Sequence, residues 1–176
     1  MSYYTMSNKE LSLLIRRKLK ENGFTSKDIS VSVKTALYDT SVNITVKNPF
    51  IRISDVENIA KSFNEIDYDE HTGEVLAGCN VYVHVEYEYG IFKTLSAALL
   101  PVAQSVFNNP KFDGKKIAQN EKTAVHLIKI NNVESRLYEF ERISDKRIST
   151  DGYIVRSPYD LAIAMWRFKN IGTIYA

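Results

Sequence analysis

The fold is decided by the segment SNKELSLLIRRKLKENG at residues 7–23 and by two alternating segments, ISVSVK at 29–34 and VNITVK at 42–47. The first segment carries apolar residues at the spacing of one buried helix face, and Gly23 is a helix stop. Ser7 opens it in the S-x-x-E form of a capping box, in which serine and glutamate satisfy each other's amides. The two alternating segments predict two strands of an antiparallel hairpin with one apolar face.

A second helix and a third strand complete the same unit. The sequence SDVE at residues 54–57 repeats the S-x-x-E form, so the second helix is predicted to begin at Ser54, after a break at Pro49. Residues 65–74 predict an acidic loop, and the alternating VYVHV at 81–85 predicts a strand. Three strands with two helices on one face form a two-layer unit whose opposite sheet face is polar.

The C-terminal half predicts a second, smaller unit, so the fold class is α+β with domains at residues 1–92 and 93–176. This second subdomain is expected to have antiparallel strands and a C-terminal helix. Its predicted elements are a helix at 94–107 that Pro101 kinks or splits, strands at 125–130 and 137–140 joined by a turn at 131–132, a hairpin over 147–156, and a last helix from Ser157 to Gly172.

Composition bounds the classes of function. The 176 residues are 44% apolar and 25% charged, which argues against global disorder. The formal net charge is +2, made up of −3 in residues 1–92 and +5 in the remainder, which disfavours both a dedicated duplex binder and an acidic mimic of nucleic acid. One cysteine, no signal peptide and no apolar run long enough for a bilayer predict a cytoplasmic protein without membrane contact.

No recognisable catalytic motif occurs in the sequence, so we predict that the protein is not an enzyme. The cluster Asp67, Asp69, His71 and Glu74 has the alternate spacing of a calcium loop, but glycine is missing at position six and glutamate at position twelve. We interpret it as a solvated acidic turn and predict no metal or cofactor. An enzyme with an unfamiliar site at one of two strand histidines, His84 or His126, ranks as a hypothesis after the two binding hypotheses given below.

Two surfaces are candidates for binding a partner. Acidic residues and tyrosines predict a protein interface, because carboxylates complement a basic surface and tyrosine gives wide contact area at low entropy cost. Its predicted residues are Asp55, Glu57, Asp67, Asp69, Glu70, Glu74, Tyr82 and Tyr87. The alternative is a nucleic-acid interface on the first helix, formed by Arg16, Arg17 and Lys20, which otherwise are the solvated face of an amphipathic helix.

Residues 8–88 resemble a domain found in proteins of phages and conjugative elements, the large polyvalent protein-associated domain 29. The likeness is carried by five segments: LIRRKLK at 14–20, ISVSV at 29–33, SVNITV at 41–46, VENIA at 56–60, and the aspartates before Thr72-Gly73. That family often has an aspartate-glycine-proline turn after its second strand, where this sequence reads Lys47-Asn48-Pro49.

The resemblance implies a biological setting, that of mobile elements and host defence, and does not indicate a chemical reaction. Such domains are similar to components that mobile elements use against host defences, and a chain of this size is similar in build to anti-CRISPR proteins. These act mostly by stoichiometric binding, so the resemblance implies a Cas9-type nuclease or its ribonucleoprotein as partner, inside a bacterial host cell. The alternative function is that of a nucleic-acid-binding accessory protein of a mobile element.

Overall fold

The computed structural model describes residues 2–107, 109–121, 123–130, 134–140 and 153–174. The chain divides into two compact units, Met1–Tyr89 and Gly90–Ala176. The α+β class is confirmed, since each unit combines helices with a sheet. The first unit contains α1 (Asn8–Glu21), β1 (Ile29–Ala36), β2 (Asp39–Val46), α2 (Ile53–Ala60) and β3 (Val81–Tyr87).

The start of α1 is the predicted capping box. The Glu10 amide donates to Ser7 Oγ at 3.3 Å, and the Ser7 amide donates to Glu10 Oε2 at 3.0 Å. Two of the amides that a helix start leaves without partners are thus satisfied. Leu11, Ile15 and Leu19 are buried on one face, as the spacing predicts.

The predicted cap of α2 is wrong. This helix begins at Ile53 with Arg52 at the cap position, and no side chain caps it. Ser54 therefore lies inside the first turn. The reason is that Ile51 and Ile53 both pack against the hydrophobic core, and this packing starts the helix one residue before the serine.

The sheet of the first unit has the order β1-β2-β3. β1 and β2 are antiparallel and are joined by a two-residue turn at Leu37 and Tyr38, while β3 runs parallel to β2. Both helices pack on one face of this sheet and bury its alternate apolar residues. The buried core consists of Leu11, Ile15, Leu19, Ile29, Val31, Val42, Ile44, Val46, Val56, Ala60, Phe63 and Val81.

The opposite face of the sheet is open and polar, as predicted. Its rows follow from the register, in which Ser32, Asn43 and His84 are neighbours across the three strands. Tyr82 and Glu86 are exposed on the same face, on either side of His84. His84 Nε2 lies 3.6 Å from Glu86 Oε2.

The second unit contains three helices and an antiparallel sheet of order β4-β5-β6-β7, and it has its own hydrophobic core. Pro101 acts as predicted: a 3₁₀ turn at Ala97–Leu99 separates two helices, and the proline occupies the first turn of the second. The elements are α3 (Ile91–Ser96), α4 (Leu100–Phe107), β4 (Lys115–Gln119), β5 (Ala124–Ile130), β6 (Glu134–Phe140), β7 (Tyr153–Val155) and α5 (Pro158–Ile171).

Most predicted elements of this unit are confirmed. Ser157 caps α5, and Gly172 ends it with a left-handed backbone at φ 83°. β6 starts three residues before the predicted strand, and β4 was not predicted, because KKIAQ alternates too briefly to be recognised. The predicted turn at 131–132 and the first arm and turn of the hairpin at 147–156 lie outside the described residues.

Candidate protein interface

The β1–β2 turn and the loop that precedes β3 are joined by one buried side chain. Asn80 is fully buried, and its amide nitrogen donates to Asp39 Oδ1 at 3.1 Å and to the Leu76 carbonyl at 2.8 Å. Its side-chain oxygen accepts the Asp67 amide at 2.8 Å. We call the turn at Leu37 and Tyr38 together with residues 65–80 the acidic tip.

The loop of the acidic tip is ordered by its own main chain. The Asp69 amide donates to the Glu74 carbonyl at 2.8 Å, and the Leu76 amide donates to the Asp67 carbonyl at 2.9 Å. Asp69 Oδ1 accepts the amides of Thr72 and His71 at 2.7 and 2.8 Å. These hydrogen bonds, that of Thr72 foremost, lower the pKa of the Asp69 carboxyl. Asp69 is therefore a structural anion that holds the turn.

The acidic tip exposes large apolar side chains beside its carboxylates. Residues 65–80 contain five acidic residues and no lysine or arginine. The exposed fractions of the apolar side chains are 93% for Leu37, 71% for Tyr38, 51% for Tyr68, 48% for Val75 and 41% for Leu76. Exposed apolar groups gathered on one ordered projection are typical of protein interaction sites.

The predicted interface did not include five exposed residues of the acidic tip, which are Leu37, Tyr38, Tyr68, Val75 and Leu76. A leucine at the first position of a two-residue turn was the available signal, because such turns usually carry glycine, asparagine or aspartate. Leu37 has φ 56°, a left-handed backbone that costs a residue with a branched side chain free energy. Tyr38 also contacts Gly78, since a Cβ added there would lie 3.1 Å from Tyr38 Cβ.

The structure does not bring all the predicted acidic residues together. Asp67, Asp69, Glu70 and Glu74 lie in the acidic tip, where Glu65 pairs with Val81 at the start of β3. Asp55 and Glu57 lie on the first turns of α2 instead. The segment that leads into this helix is held at the other end of β3, where the Ile51 carbonyl accepts a hydrogen bond from the Tyr87 hydroxyl. Glu57 lines a groove beside Val83 and Val85 of β3, whereas the acidic residues of the tip precede that strand.

The two predicted tyrosines lie on opposite faces of β3. Tyr82 is exposed on the open face of the sheet, beside His84. Tyr87 packs against the core, and its hydroxyl donates to the Ile51 carbonyl at 2.8 Å. Tyr87 therefore fixes the segment that leads into α2, and it is the less accessible of the two.

The three predicted basic residues also differ. The guanidinium of Arg16 donates to the Val31 carbonyl of β1, and its Nε donates to Ser12 Oγ at 3.2 Å. Arg17 and Lys20 are exposed on α1. Arg16 is thus engaged in holding α1 to the edge of the sheet, which leaves Arg17 and Lys20 for a phosphate.

The two strand histidines and the cysteine have different surroundings. His84 is exposed, and His126 Nδ1 lies 3.3 Å from the Gly114 carbonyl. Because no second cysteine and no basic run lie near it in the sequence, Cys79 is expected to be a small buried residue rather than a nucleophile. The expected burial is wrong: Cys79 is exposed at φ 63°, and its amide donates to the Tyr38 carbonyl at 2.6 Å. A hydrogen bond with Cys79 raises the pKa of the Tyr4 hydroxyl.

Comparison of the chain with protein-family models, curated proteins and solved structures finds no match. Within the described ranges, no group of three or more histidine, cysteine, aspartate or glutamate side chains is placed to hold a metal ion. None of the helices in those ranges combines the length and the apolar character required to cross a bilayer.

Proposed function

We propose that the protein acts by stoichiometric binding to a partner protein, and that the acidic tip contacts a basic surface of that partner. The observation that carries this proposal is the set of exposed apolar side chains between carboxylates on an internally hydrogen-bonded loop. A loop ordered before binding loses little conformational entropy in the complex, which favours affinity.

The two kinds of side chain have different roles in such a contact. Tyr68 and Leu76 supply apolar area that leaves water on binding, and anchors of this kind carry most of the binding free energy in interfaces. Asp67, Glu70 and Glu74 supply a negative potential, which orients the encounter and discriminates against acidic partners.

The resemblance to mobile-element domains supplies the class of partner. We propose a phage or mobile-element counter-defence protein, an anti-CRISPR inhibitor of a Cas9-type nuclease. Such a nuclease holds nucleic acid in positively charged channels and reads a short duplex motif with arginines. An acidic projection with apolar anchors suits a surface of that charge, either by occluding motif recognition or by blocking the conformational change that permits cleavage.

The experiment measures binding of the chain to a purified Cas9-type nuclease with its guide RNA, together with target cleavage. One variant reverses charge in the acidic tip (Asp67→Lys, Glu70→Lys, Glu74→Lys), and a second removes the anchors (Tyr68→Ala, Leu76→Ala). Each is expected to weaken binding by about 30-fold or more, as for interface hot spots. The matched control, Asp55→Lys with Glu57→Lys on α2, is expected to bind within about 3-fold of the parent.

Equal loss of binding in the control and in the tip variants would contradict the tip as the contact. Absence of any complex with the nuclease would contradict the proposed class of partner. The alternative, a nucleic-acid-binding accessory protein, predicts binding to DNA or RNA that weakens steeply with salt and with Arg17→Glu and Lys20→Glu. Tip variants would then leave that binding intact.

A further inference from the structure

A cleft of about 210 Å³ lies between the end of α1 and the start of β1. Its lining is largely apolar and comes from Leu19 of α1, Phe24 of the connecting segment, and Ile29 and Val31 of β1. An apolar cavity of about 150 Å³ holds one benzene ring, so this cleft has room for an apolar group of that size. The cleft lies at the start of β1, whereas the acidic tip begins where that strand ends.

The rim of the cleft is polar and positively charged. Arg16 and Lys20 lie one helical turn apart on α1, and Thr25 and Ser26 add hydroxyl groups. Like charges at this spacing repel each other and destabilise a helix. Residues 16–28 carry five lysines and arginines against two acidic residues. Within the part of the chain that the structure describes, neither Arg16 nor Lys20 forms an ion pair with a carboxylate, so the rim favours an anion.

The C-terminal end of α1 has hydrogen-bond partners other than these cations. The Leu19 carbonyl accepts the amides of Asn22 and Phe24 at 3.1 and 3.0 Å, and the Lys20 carbonyl accepts the Gly23 amide at 3.0 Å. Basic side chains near a helix C-terminus often serve its last carbonyls, which carry partial negative charge. Here main-chain amides satisfy those carbonyls, so the Lys20 ammonium is available to a ligand.

Arg16 is fixed at the rim by two contacts and has further donors. Its Nε donates to Ser12 Oγ at 3.2 Å, and its Nη2 donates to the Val31 carbonyl of β1. A guanidinium has five N–H groups, and these two hydrogen bonds use two of them. A cation that is held in place before binding loses little conformational entropy in a complex. Arg16 can therefore support β1 and also contact an anion in the cleft.

We propose that this cleft binds a small carboxylate whose apolar body is about the size of one aromatic ring. The ring contacts Phe24, Ile29 and Val31, and this apolar surface leaves water on binding. The carboxylate lies between the Arg16 guanidinium and the Lys20 ammonium, where hydrogen bonds between ionised groups are stronger than neutral ones. The bound anion also offsets the repulsion between the two cations. This inference is independent of the proposed function, because the cleft contains no residue of the acidic tip.

Titration of the ¹⁵N-labelled full chain with benzoate, followed in ¹⁵N–¹H spectra, tests the inference. Saturable shifts are expected for amides of residues 19–31, with a dissociation constant of about 1 mM, because a ligand of this size gains little binding free energy. Benzylamine carries the same ring with the opposite charge, and acetate carries the charge without the ring. Each is expected to bind at least about 10-fold more weakly than benzoate, since each lacks one of the two contacts.

Lys20→Glu is expected to weaken benzoate binding by about 10-fold, because the new carboxylate repels the ligand and pairs with Arg16. Lys18→Glu is the matched control, since it changes the net charge equally on the same helix and Lys18 does not line the cleft. Its affinity for benzoate is expected to stay within about 2-fold of the parent. Both lysines are exposed, and circular dichroism checks that each variant folds.

Three results would overturn the inference. The first is the absence of saturable benzoate shifts at the cleft. The second is equal binding of benzoate and either benzylamine or acetate, which would remove the role of the charge or of the ring. The third is an equal loss of affinity in the two glutamate variants, which would mean that net charge and not the cleft decides binding. Charge reversal in the acidic tip is expected to leave benzoate binding intact, so the two proposals fail separately.

Discussion

At the scale of single residues, Asn80 is the side chain on which the acidic tip depends. It is fully buried, and its amide group links Asp39 after the β1–β2 turn with Asp67 and Leu76 of the loop. A buried amide with every partner in place contributes modestly to stability, but its removal leaves several main-chain groups without hydrogen bonds. Asn80 therefore fixes two separate chain segments relative to each other, together with the hydrogen bond from the Cys79 amide to the Tyr38 carbonyl.

We predict that Asn80→Ala lowers the free energy of unfolding by about 1–3 kcal/mol, because it leaves the Asp67 amide and the Leu76 carbonyl without their buried partner. Urea denaturation followed by circular dichroism measures the change. Asn43→Ala is the matched control, since Asn43 lies on the open sheet face, and its effect is expected to stay within about 0.5 kcal/mol. Equal effects of the two variants would contradict the role of Asn80.

A second residue-scale prediction concerns Asp28, whose carboxyl accepts the Thr25 hydroxyl at 2.6 Å and the Asn48 amide at 3.0 Å. These hydrogen bonds lower the pKa of Asp28, the Thr25 hydroxyl most of all. A carboxyl whose pKa is lower in the folded than in the unfolded state stabilises the fold at pH values above its unfolded pKa of about 3.9. This stabilisation is lost as the pH falls through the folded pKa. Thr25→Val is therefore expected to raise the pKa of Asp28 in an NMR titration.

The same variant is expected to lose stability at neutral pH and to approach the parent in strong acid, where Asp28 is protonated in both states. Denaturation at both pH values measures the difference. Thr45→Val, on the open sheet face away from Asp28, is the control and is expected to leave the pKa of Asp28 in place. A constant difference between the parent and Thr25→Val across pH would exclude this linkage.

At the scale of elements, the two S-x-x-E sequences show that one motif has two outcomes. Ser7 caps α1, whereas Ser54 is one residue inside α2 and caps nothing. We predict that Ser7→Ala destabilises the protein by about 1 kcal/mol through the loss of the cap, and that Ser54→Ala changes stability by less than about 0.5 kcal/mol. Paired urea titrations compare them, and an equal loss would mean that Ser54 also supports its helix start.

A second contact between elements is made by Arg16, which joins α1 to the edge of β1. Hydrogen bonds from charged donors are worth more than neutral ones, so Arg16→Gln is expected to cost about 1 kcal/mol of stability. Arg17→Gln, one residue along the exposed face, is expected to change stability by less than about 0.5 kcal/mol. Chemical denaturation of the two glutamine variants is the measurement, and the reverse order of effects would refute the assignment.

At the scale of the whole molecule, each unit has its own hydrophobic core. The core of the first unit contains residues between Tyr3 and Tyr87, and that of the second contains residues between Leu99 and Ile174. We predict that residues 1–89 expressed alone fold cooperatively, because their apolar surface is buried within the unit. Amide dispersion in a ¹⁵N–¹H spectrum tests this, and a collapsed spectrum would show that the unit depends on the rest of the chain.

The sequence by itself determined the α+β class, the apolar faces of α1 and of the three strands of the first unit, the Ser7 cap, and the Ser157 and Gly172 limits of the last helix. These features follow from spacing and from local hydrogen bonds, which neighbouring residues supply. The acidic character of residues 65–74 also follows from the sequence, because the charge of these side chains does not depend on the fold.

Only the tertiary structure decided which distant residues share a surface. It separated Asp55 from the acidic residues of the tip, engaged Arg16 with Val31, turned Tyr87 to the core, and placed Leu37 beside the loop that ends at Asn80. Such outcomes depend on strand register and on contacts between segments far apart in the chain. No local pattern contains that information, because the free energy of each contact exists only once the sheet has formed.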